Sequence, residues 1–308
     1  MSSNKKVSII MATFNRAHLI EETLVSVQNQ TYIHWECLII DDGSTDATQA
    51  TLESYLKKNP RFQYYQRPDK YKKGLPGCRN YGLDIAKGEY IIFFDDDDIV
   101  HPQNLELCIN VLEECKSDFC IYKKQSFTGR YIESFVKQND NYNKVVINLY
   151  NFLTNKVPIA SCTVMWHISC FDNIRFNENL MYAEEWECYL RILTTNKKGV
   201  MLNNILYFNR KHPQSNTGEF WSHDPTRRAS KIEACRLVIN HLAEHKHLTY
   251  QLGLYFVGLA HFLKEKQIFN YVRAHKKAFN TIENLKLKTR YYANGLIRPL
   301  YKLKKRLS

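Results

Sequence analysis

The first 125 residues alternate short apolar runs with amphipathic stretches, and this alternation limits the possible folds more than any other feature of the chain. The apolar runs are rich in β-branched and aromatic residues and predict strands, whereas the stretches between them predict helices. Strands that alternate with helices form a mainly parallel sheet with helices on its faces. The predicted strands are Lys6–Ala12, Glu36–Asp41, Phe62–Gln66, Tyr90–Phe94 and Phe119–Tyr122.

The rest of the chain is first irregular and then helical. Strand-like runs at Cys162–Trp166 and Val200–Asn209 and a helix-like segment at Glu184–Leu193 are expected to complete the sheet. From about residue 225 the apolar residues follow helical spacing and predict one buried face. We therefore expect an α/β domain over residues 1–222 and a helical extension over residues 223–308. The residues of the predicted helical face are Ile232, Cys235, Leu237, Val238 and Leu242.

Length and cysteine spacing restrict the class of protein. A chain of 308 residues with 44% hydrophobic content can bury a core for one domain and an appendage. Its nine cysteines show no zinc-binding spacing and no signal peptide is evident, so we expect free thiols in the cytoplasm. The longest apolar stretch, Leu252–Leu263, is shorter than the roughly 20 residues that span a bilayer and predicts a buried helix.

Positive charge is concentrated at the carboxyl end. The chain has a net charge of +12, and residues 284–308 contain basic but no acidic side chains. Leucines at helical spacing among these basic residues predict an amphipathic helix on an anionic membrane surface. A helix packed on the core with a solvated basic face is the alternative. The leucines are Leu296, Leu300, Leu303 and Leu307, and the basic residues among them are Arg298, Lys302, Lys304, Lys305 and Arg306.

Four consecutive aspartates, Asp95–Asp98, follow the apolar run Tyr90–Phe94, which predicts a buried central strand. Ligands of parallel α/β sheets bind beyond the carboxyl ends of the strands. Adjacent carboxylates repel one another, and Mg²⁺ or Mn²⁺ would balance their charge because both cations prefer oxygen ligands. Such a cation also stabilises a departing diphosphate. The alternative is a helix N-cap before Pro102, for which a single aspartate suffices; Asp98 is the one that we expect to cap that helix.

Residues after the first two predicted strands suit a nucleotide. The Asp42 carboxylate could accept the imide N–H of uracil, and the Phe14 ring offers a face for the base. Thr13 and Arg16 lie in the same loop as Phe14, whereas Thr45 or Asp46 is expected to cap the next helix.

Arg79 is expected in a flexible loop, residues 74–80, that leads into the helix before the aspartates. Its guanidinium would suit a diphosphate, although a solvated surface charge is the alternative.

Together these segments resemble the family 2 glycosyltransferases of the GT-A fold. The resemblance implies a UDP-sugar donor, uracil contacts around Ala12, Phe14 and Asp42, and metal binding by the aspartates. It makes Asp97 the direct metal ligand, with Asp95 and Asp96 as supports nearer the ribose. Ala12 stands where the family commonly has proline, a change that a backbone contact would tolerate. The segments that carry the resemblance are Val7–Arg16, Gln30–Tyr32, Glu36–Asp46, Arg79–Gly82, Gly88–Ile91 and Asp95–Asp98.

The segment Glu184–Arg191 resembles the family's Glu-Asp segment, in which the aspartate is the general base. On this resemblance the base here is Glu185, which takes the proton of the acceptor hydroxyl as its oxygen attacks the anomeric carbon opposite the leaving diphosphate. Glu185 is one methylene longer than that aspartate, and Glu184 is the second candidate. Acids that merely favour the first turn of a helix are the alternative explanation.

The segment Asn209–Ser215 resembles the family's basic segment that closes over the diphosphate. His212 within it is a candidate metal or phosphate ligand, or else a polar loop residue.

The expected function is transfer of a sugar from a UDP-sugar to a hydroxyl of a lipid-linked oligosaccharide, lipopolysaccharide or capsular glycan. We expect the reaction to be inverting, to depend on Mn²⁺ or Mg²⁺, and to take place at the inner face of the cell membrane. A nucleotidyltransferase is one alternative, but it would ordinarily have a glycine-rich triphosphate loop, and residues 13–18 contain no glycine. A basic nucleic-acid-binding protein is another, but the charge is not spread over a recognisable binding module and we expect no nucleic acid partner.

Overall fold

The computed structural model describes residues 4–131, 142–143, 147, 149–211 and 216–293. The strands are β1 (Val7–Thr13), β2 (Trp35–Asp41), β3 (Phe62–Gln66), β4 (Tyr90–Asp95), β5 (Ile99–Val100), β6 (Phe119–Phe127), β7 (Tyr142–Asn143), β8 (Val164–His167) and β9 (Gly199–Arg210). The helices are α1 (Ile20–Gln28), α2 (Thr48–Lys58), α3 (Leu75–Ile85), α4 (Asn104–Cys115), α5 (Leu149–Leu153), α6 (Glu184–Leu193), α7 (Asn216–Trp221), α8 (Pro225–Glu244), α9 (Tyr250–Leu263) and α10 (Lys266–Ala274). A further helix, α11, begins at residue 281, and its described part reaches residue 293.

One mixed sheet contains all the strands of the described residues. Its order is β3-β2-β1-β4-β8-β6-β9-β5, and β7 pairs with β9. The first four of these strands are parallel to one another, whereas β8 runs antiparallel to both β4 and β6. The α/β fold with a mainly parallel sheet is therefore confirmed. The carboxyl ends of β1, β2 and β4 meet at one edge, which is where ligands of such sheets bind.

Most predicted strands agree with the observed ones to within one residue at each end. The run Cys162–Trp166 does not, because residues 161–163 form a 3₁₀ helix before β8, and the two-residue strands β5 and β7 were not predicted. Strand β6 also differs. Phe119–Tyr122 was the predicted run, but the strand continues to Phe127 through four exposed polar residues. These residues pair with β9. They were missed because the outer part of β6 has no apolar pattern that periodicity can detect.

The central strands are buried on both faces by two helical layers. Along β1, Ile9 and Met11 belong to the buried cluster that contains α1 residues, whereas Ile10 belongs to the cluster that contains α3 residues. This division follows from the alternation of side chains along a strand. Helix α3 packs very close to β1, because a Cβ on Gly82 would lie 2.4 Å from Cγ2 of Ile10. Gly82 thereby fixes how closely α3 approaches the ligand edge.

The carboxyl-terminal helices pack on the α/β part. Buried residues of α8, α9 and α10 belong to the same hydrophobic cluster as residues of β1, β4 and β6. On α8 the predicted residues Cys235, Val238 and Leu242 are buried, whereas Ile232 and Leu237 are only partly buried. The predicted division at residue 222 falls between α7 and α8 and stays a prediction.

Helix α9 contains the predicted apolar helix Leu252–Leu263 but buries one face only, since Phe262 is 54% exposed. Within the described ranges, no helix is both long and apolar enough to cross a bilayer. The leucines and basic residues predicted to contact a membrane, Leu296 to Leu307, lie outside the described residues. That contact stays a prediction. All nine cysteines are described and free.

Candidate active site

A cavity of about 430 Å³ opens beyond the carboxyl ends of β1, β2 and β4. Its walls include residues from the loops after these strands, from α3 and from the start of α6. The structure thus brings together every candidate residue of the sequence analysis except His212, which lies outside the described residues. The candidates that line the cavity are Ala12, Thr13, Phe14, Arg16, Asp42, Arg79, Asp95, Asp96, Asp97 and Glu185.

The aspartate cluster begins at the end of β4 and continues into the turn before β5. The Asp98 carboxylate accepts a hydrogen bond of 2.7 Å from the Arg210 backbone N–H. Prediction of Asp98 as a helix cap was wrong. Helix α4 begins at Asn104 with Gln103 as its N-cap, because the chain after Asp98 first forms strand β5 against β9.

Burial and mutual repulsion raise the pKa values of carboxyl groups in the aspartate cluster. Burial raises the pKa of Asp96 to about 7, and the charge of Asp97 contributes to the rise. Burial raises the pKa of Asp98 to about 8, together with the charges of Asp95 and Asp97. Arg16 compensates at longer range, with Nε 3.5 Å from Asp96 Oδ1 and Nη2 3.8 Å from Asp97 Oδ2. The remaining repulsion favours a bound cation.

Two of the aspartates have a geometry that suits a divalent cation. Oxygens of Asp95 and Asp98 and the Cys162 Sγ all lie within 4.8 Å of one another. Sulfur is a soft ligand, so the Cys162 thiol is a poor donor for a hard cation. The two carboxylates remain, and oxygen donors are what Mg²⁺ and Mn²⁺ prefer. Asp97 is not in this group, and its role as the direct ligand stays a prediction.

Mn²⁺ is expected to raise the melting temperature more at pH 8 than at pH 5. A cation must displace protons from its ligands, and at pH 5 the Asp98 carboxyl, with a pKa of about 8, is protonated. A cation that binds only the folded protein stabilises the folded state and raises the melting temperature. The measurement is thermal unfolding with Mn²⁺ or with a chelator at both pH values. Asp98→Asn should lose the stabilisation at pH 8, whereas the exposed Asp172→Asn should keep it. An equal shift at both pH values would contradict the site.

The loops after β1 and β2 form the end of the cavity that is predicted to bind the uracil base. The Phe14 ring is 44% exposed, and Lys73 Nζ lies 4.8 Å from its centroid. The Asp42 carboxylate already has a partner, because Arg67 Nε donates to its Oδ1 at 2.5 Å. Arg67 follows β3 and has no motif around it, so its role could not be predicted from the sequence. Prediction of Thr45 or Asp46 as the cap of α2 was wrong, because the N-cap is Ala47. The Asp46 carboxylate still accepts a hydrogen bond of 2.9 Å from the N–H of Thr48, the first residue of the helix.

Arg79 lies in helix α3 and not in the predicted loop. Pro76 near the start of this helix is tolerated there, because the first turn has no partner for its missing N–H. The Arg79 side chain is 2% exposed and forms ion pairs at 3.2 Å with Glu184, 3.4 Å with Glu185 and 3.7 Å with Asp95. It thereby joins the aspartate cluster to the two glutamates. Its predicted contact with a diphosphate stays a prediction.

The two glutamates begin helix α6 directly after Ala183, whose φ of 65° lies in the left-handed region. A non-glycine residue there costs about 1–3 kcal/mol and is typical of functional sites. The Glu184 side chain is 7% exposed and that of Glu185 is 32% exposed. Burial, together with the charge of Glu185, raises the pKa of Glu184 to about 7. Glu185 is therefore the more accessible of the two to a substrate in the cavity.

The chain matches a known protein family. The family model described as "Glycosyl transferase family 2" matches residues 8–169, more than half of the chain. The chain belongs to the family 2 glycosyltransferases. Membership of this family sets aside the two alternatives, a nucleotidyltransferase and a nucleic-acid-binding protein. The matched range includes the aspartate cluster and Arg79, whereas Glu185 lies beyond it.

This glycosyltransferase is similar to the GalNAc(5)-diNAcBac-PP-undecaprenol beta-1,3-glucosyltransferase of Campylobacter jejuni. The two are 41% identical over 183 residues, which cover 58% of this chain and 57% of that protein. The aligned part spans between 23% and 58% of the length of the curated relatives.

Two solved structures share the fold of this chain. S. aureus TarS 1–349 in complex with UDP-GlcNAc superposes with a TM-score of 0.69 at 20% identity, over 94% of this chain and 89% of that one. The mannosyltransferase PcManGT from Pyrobaculum calidifontis, in complex with GDP-Man and Mn²⁺, superposes with a TM-score of 0.56 at 14% identity, over 99% and 84% of the two chains. At these identities the likeness shows the fold.

Helix α8 of the glycosyltransferase holds the segment before the glutamates. The Ser230 hydroxyl accepts hydrogen bonds of 2.9 Å from the N–H groups of Met181 and Tyr182 and donates one of 2.8 Å to the Tyr182 carbonyl. Ser230 was missed in the sequence because only the tertiary packing of α8 against α6 brings it to residues 181–182. The helical extension therefore helps to shape the site.

Proposed function

We propose that this glycosyltransferase transfers a sugar from a UDP-sugar to a hydroxyl of a lipid-linked glycan at the inner face of the cell membrane, with inversion at the anomeric carbon. The observation that carries the proposal is that one cavity is lined by three sets of residues: the aspartate cluster, the proposed uracil contacts Phe14 and Asp42, and Glu185. Its volume of about 430 Å³ is in the range of small-molecule sites.

A UDP-sugar fits the order of groups along the cavity. The uracil would stack on Phe14 and donate its imide N–H towards Asp42, with Ala12 and Thr13 contributing contacts from the end of β1. The diphosphate would then lie near Arg16, whose guanidinium suits phosphate oxygens. The same fold binds UDP-GlcNAc in TarS and GDP-Man in the Pyrobaculum enzyme, so the proposal of uridine rests on Phe14 and Asp42.

The residues that we propose to hold Mn²⁺ or Mg²⁺ are Asp95, Asp97 and Asp98, together with His212. A bound divalent cation would offset the negative charge of the departing diphosphate. Support comes from the oxygen donors within 4.8 Å, from the carboxyl groups whose pKa values burial and mutual repulsion raise, and from the Mn²⁺ of the Pyrobaculum enzyme.

Glu185 is the proposed general base. The acceptor oxygen forms a bond to the anomeric carbon while the bond from that carbon to the diphosphate oxygen breaks, and its electron pair leaves with UDP. The proton of the acceptor hydroxyl passes to the Glu185 carboxylate. Arg79, 3.4 Å from Glu185 and 3.7 Å from Asp95, holds the base at a fixed distance from the aspartate cluster.

A lipid-linked acceptor is supported by the Campylobacter relative, whose name describes a glycan attached to undecaprenol through a diphosphate. Membrane contact through residues 296–307 would bring the enzyme to such an acceptor and is part of the proposal.

UDP-sugars are expected to raise the melting temperature in the presence of Mn²⁺, whereas GDP-mannose is not. Phe14→Ala should weaken UDP binding by about tenfold, because stacking of a base on an aromatic ring contributes about 1–3 kcal/mol. Tyr292→Ala is the matched control, since Tyr292 is 49% exposed, like Phe14, but is not among the residues that line the cavity. Calorimetry gives the dissociation constants. Equal stabilisation by UDP-sugars and GDP-mannose would count against the uridine donor.

A further inference from the structure

Helix α8 contributes a lysine to the wall of the candidate active site. Lys231 lines the same cavity as Glu185 and the aspartate cluster. Its Nζ lies 3.7 Å from the centroid of the Trp186 ring, and Trp186 is the residue after Glu185 on α6. The family model ends at residue 169, so Lys231 is not part of the matched segment.

The Lys231 ammonium has no carboxylate partner in the described part of the chain. In that part, Glu184 and Glu185 form ion pairs with Arg79. Lys231 contacts the ring of Trp186. Burial lowers the pKa of Lys231, although the charge of Glu185 acts in the opposite direction. A partly buried cation without an ion pair gains most from an anionic ligand that enters the cavity.

The geometry of inverting transfer indicates which substrate, donor or acceptor, carries the anion that Lys231 would bind. The acceptor oxygen attacks the anomeric carbon from the side opposite the departing diphosphate. The general base contacts the acceptor oxygen, and Lys231 lines the same cavity as the proposed base, Glu185, and contacts the residue next to it, Trp186. The aspartate cluster, on the other hand, is the region proposed for the donor diphosphate. A cation beside the base therefore lies on the acceptor side.

We propose that Lys231 binds a phosphate or diphosphate group of the acceptor, next to the hydroxyl that Glu185 deprotonates. The inference rests on the proposed function and specifies its acceptor as one with an anionic group close to the accepting sugar. A sugar joined to a lipid through a diphosphate has this chemistry. Lys231 is then a specificity-determining residue, which favours charged acceptors over neutral ones.

The test compares two acceptors that share one sugar, an alkyl glycoside and the matching alkyl diphosphate-linked sugar, with UDP-sugar donors and Mn²⁺. The wild-type enzyme should prefer the charged acceptor, and Lys231→Gln should reduce this preference, measured as the ratio of kcat/KM values, by about tenfold or more. Lys231→Arg should retain most of the preference. Lys266→Gln, which removes an exposed charge from α10, should leave it unchanged.

The outcomes separate the inference from the proposed function. If wild-type enzyme transfers sugar and Lys231→Gln affects both acceptors equally, or raises the KM of the donor alone, the inference is overturned and the proposed function stands. If wild-type enzyme transfers from no UDP-sugar to either acceptor, both fail.

Should Lys231→Gln fail to fold, the wild-type enzyme itself provides the test. Higher ionic strength should raise its KM for the charged acceptor and not for the neutral one. The absence of this difference would overturn the inference.

Discussion

Glu185→Gln is expected to lower the rate of sugar transfer by about 10²–10⁴-fold while the enzyme keeps its affinity for the UDP-sugar. Glutamine has nearly the same shape as glutamate and can still accept a hydrogen bond from Arg79, but it cannot take the proton of the acceptor hydroxyl. The Glu185 side chain is 32% exposed towards the cavity and is 3.4 Å from Arg79 Nη1. Single-turnover rates and the dissociation constant of the UDP-sugar are the two measurements.

Glu184→Gln is the matched control for this experiment. Glu184 is adjacent to Glu185 and also contacts Arg79, at 3.2 Å, but its side chain is 7% exposed. We expect the Glu184 variant to retain far more activity than the Glu185 variant, because its carboxyl group is the less accessible to an acceptor. Near-normal turnover by Glu185→Gln would refute the assignment, and a larger loss in Glu184→Gln would make Glu184 the base.

The fold and the aspartate cluster could be predicted because both leave local patterns in the chain. Apolar runs such as Tyr90–Phe94 mark buried strands, and the residues directly after them fall at the ligand edge of a parallel sheet. Helix α6 was predicted with its observed limits, because acids begin it and apolar residues follow at helical spacing. In these cases residues close in the sequence determine the structure.

The misplaced or missed features depend on residues that are distant in the sequence. Glycine and proline around Arg79 indicated a loop, yet packing of Gly82 on Ile10 supports a helix there. Lys231 lies more than forty residues after Glu185 in the sequence and lines the same cavity only because α8 packs on α6. No spacing rule connects such residues, since tertiary packing alone decides which faces of two helices meet.

Arg79→Met is expected to lower the free energy of unfolding by about 3–5 kcal/mol at pH 8, because removal of one partner leaves buried charge without compensation. Without the Arg79 guanidinium, its three partners repel one another: the buried Glu184 and the partly exposed Glu185 and Asp95. Arg236→Met is the control, since its pair with Glu233 is exposed and should contribute less than about 1 kcal/mol. Urea denaturation measures both variants.

The loss caused by Arg79→Met should be smaller at pH 5 than at pH 8. The Glu184 carboxyl has a folded-state pKa of about 7, raised from an ordinary value of 4.5, so the folded protein binds more protons than the unfolded chain between these values. Such a group makes unfolding easier as pH rises through this window. Without Arg79 the pKa rises further, and acid then neutralises the carboxyl that has lost its partner. The Arg79 guanidinium carbon also lies 5.6 Å from the ring centroid of Phe93 and 5.4 Å from that of Phe176. A loss of equal size at pH 5 and pH 8 would show that Arg79 stabilises the fold by packing on these rings and not by its charge.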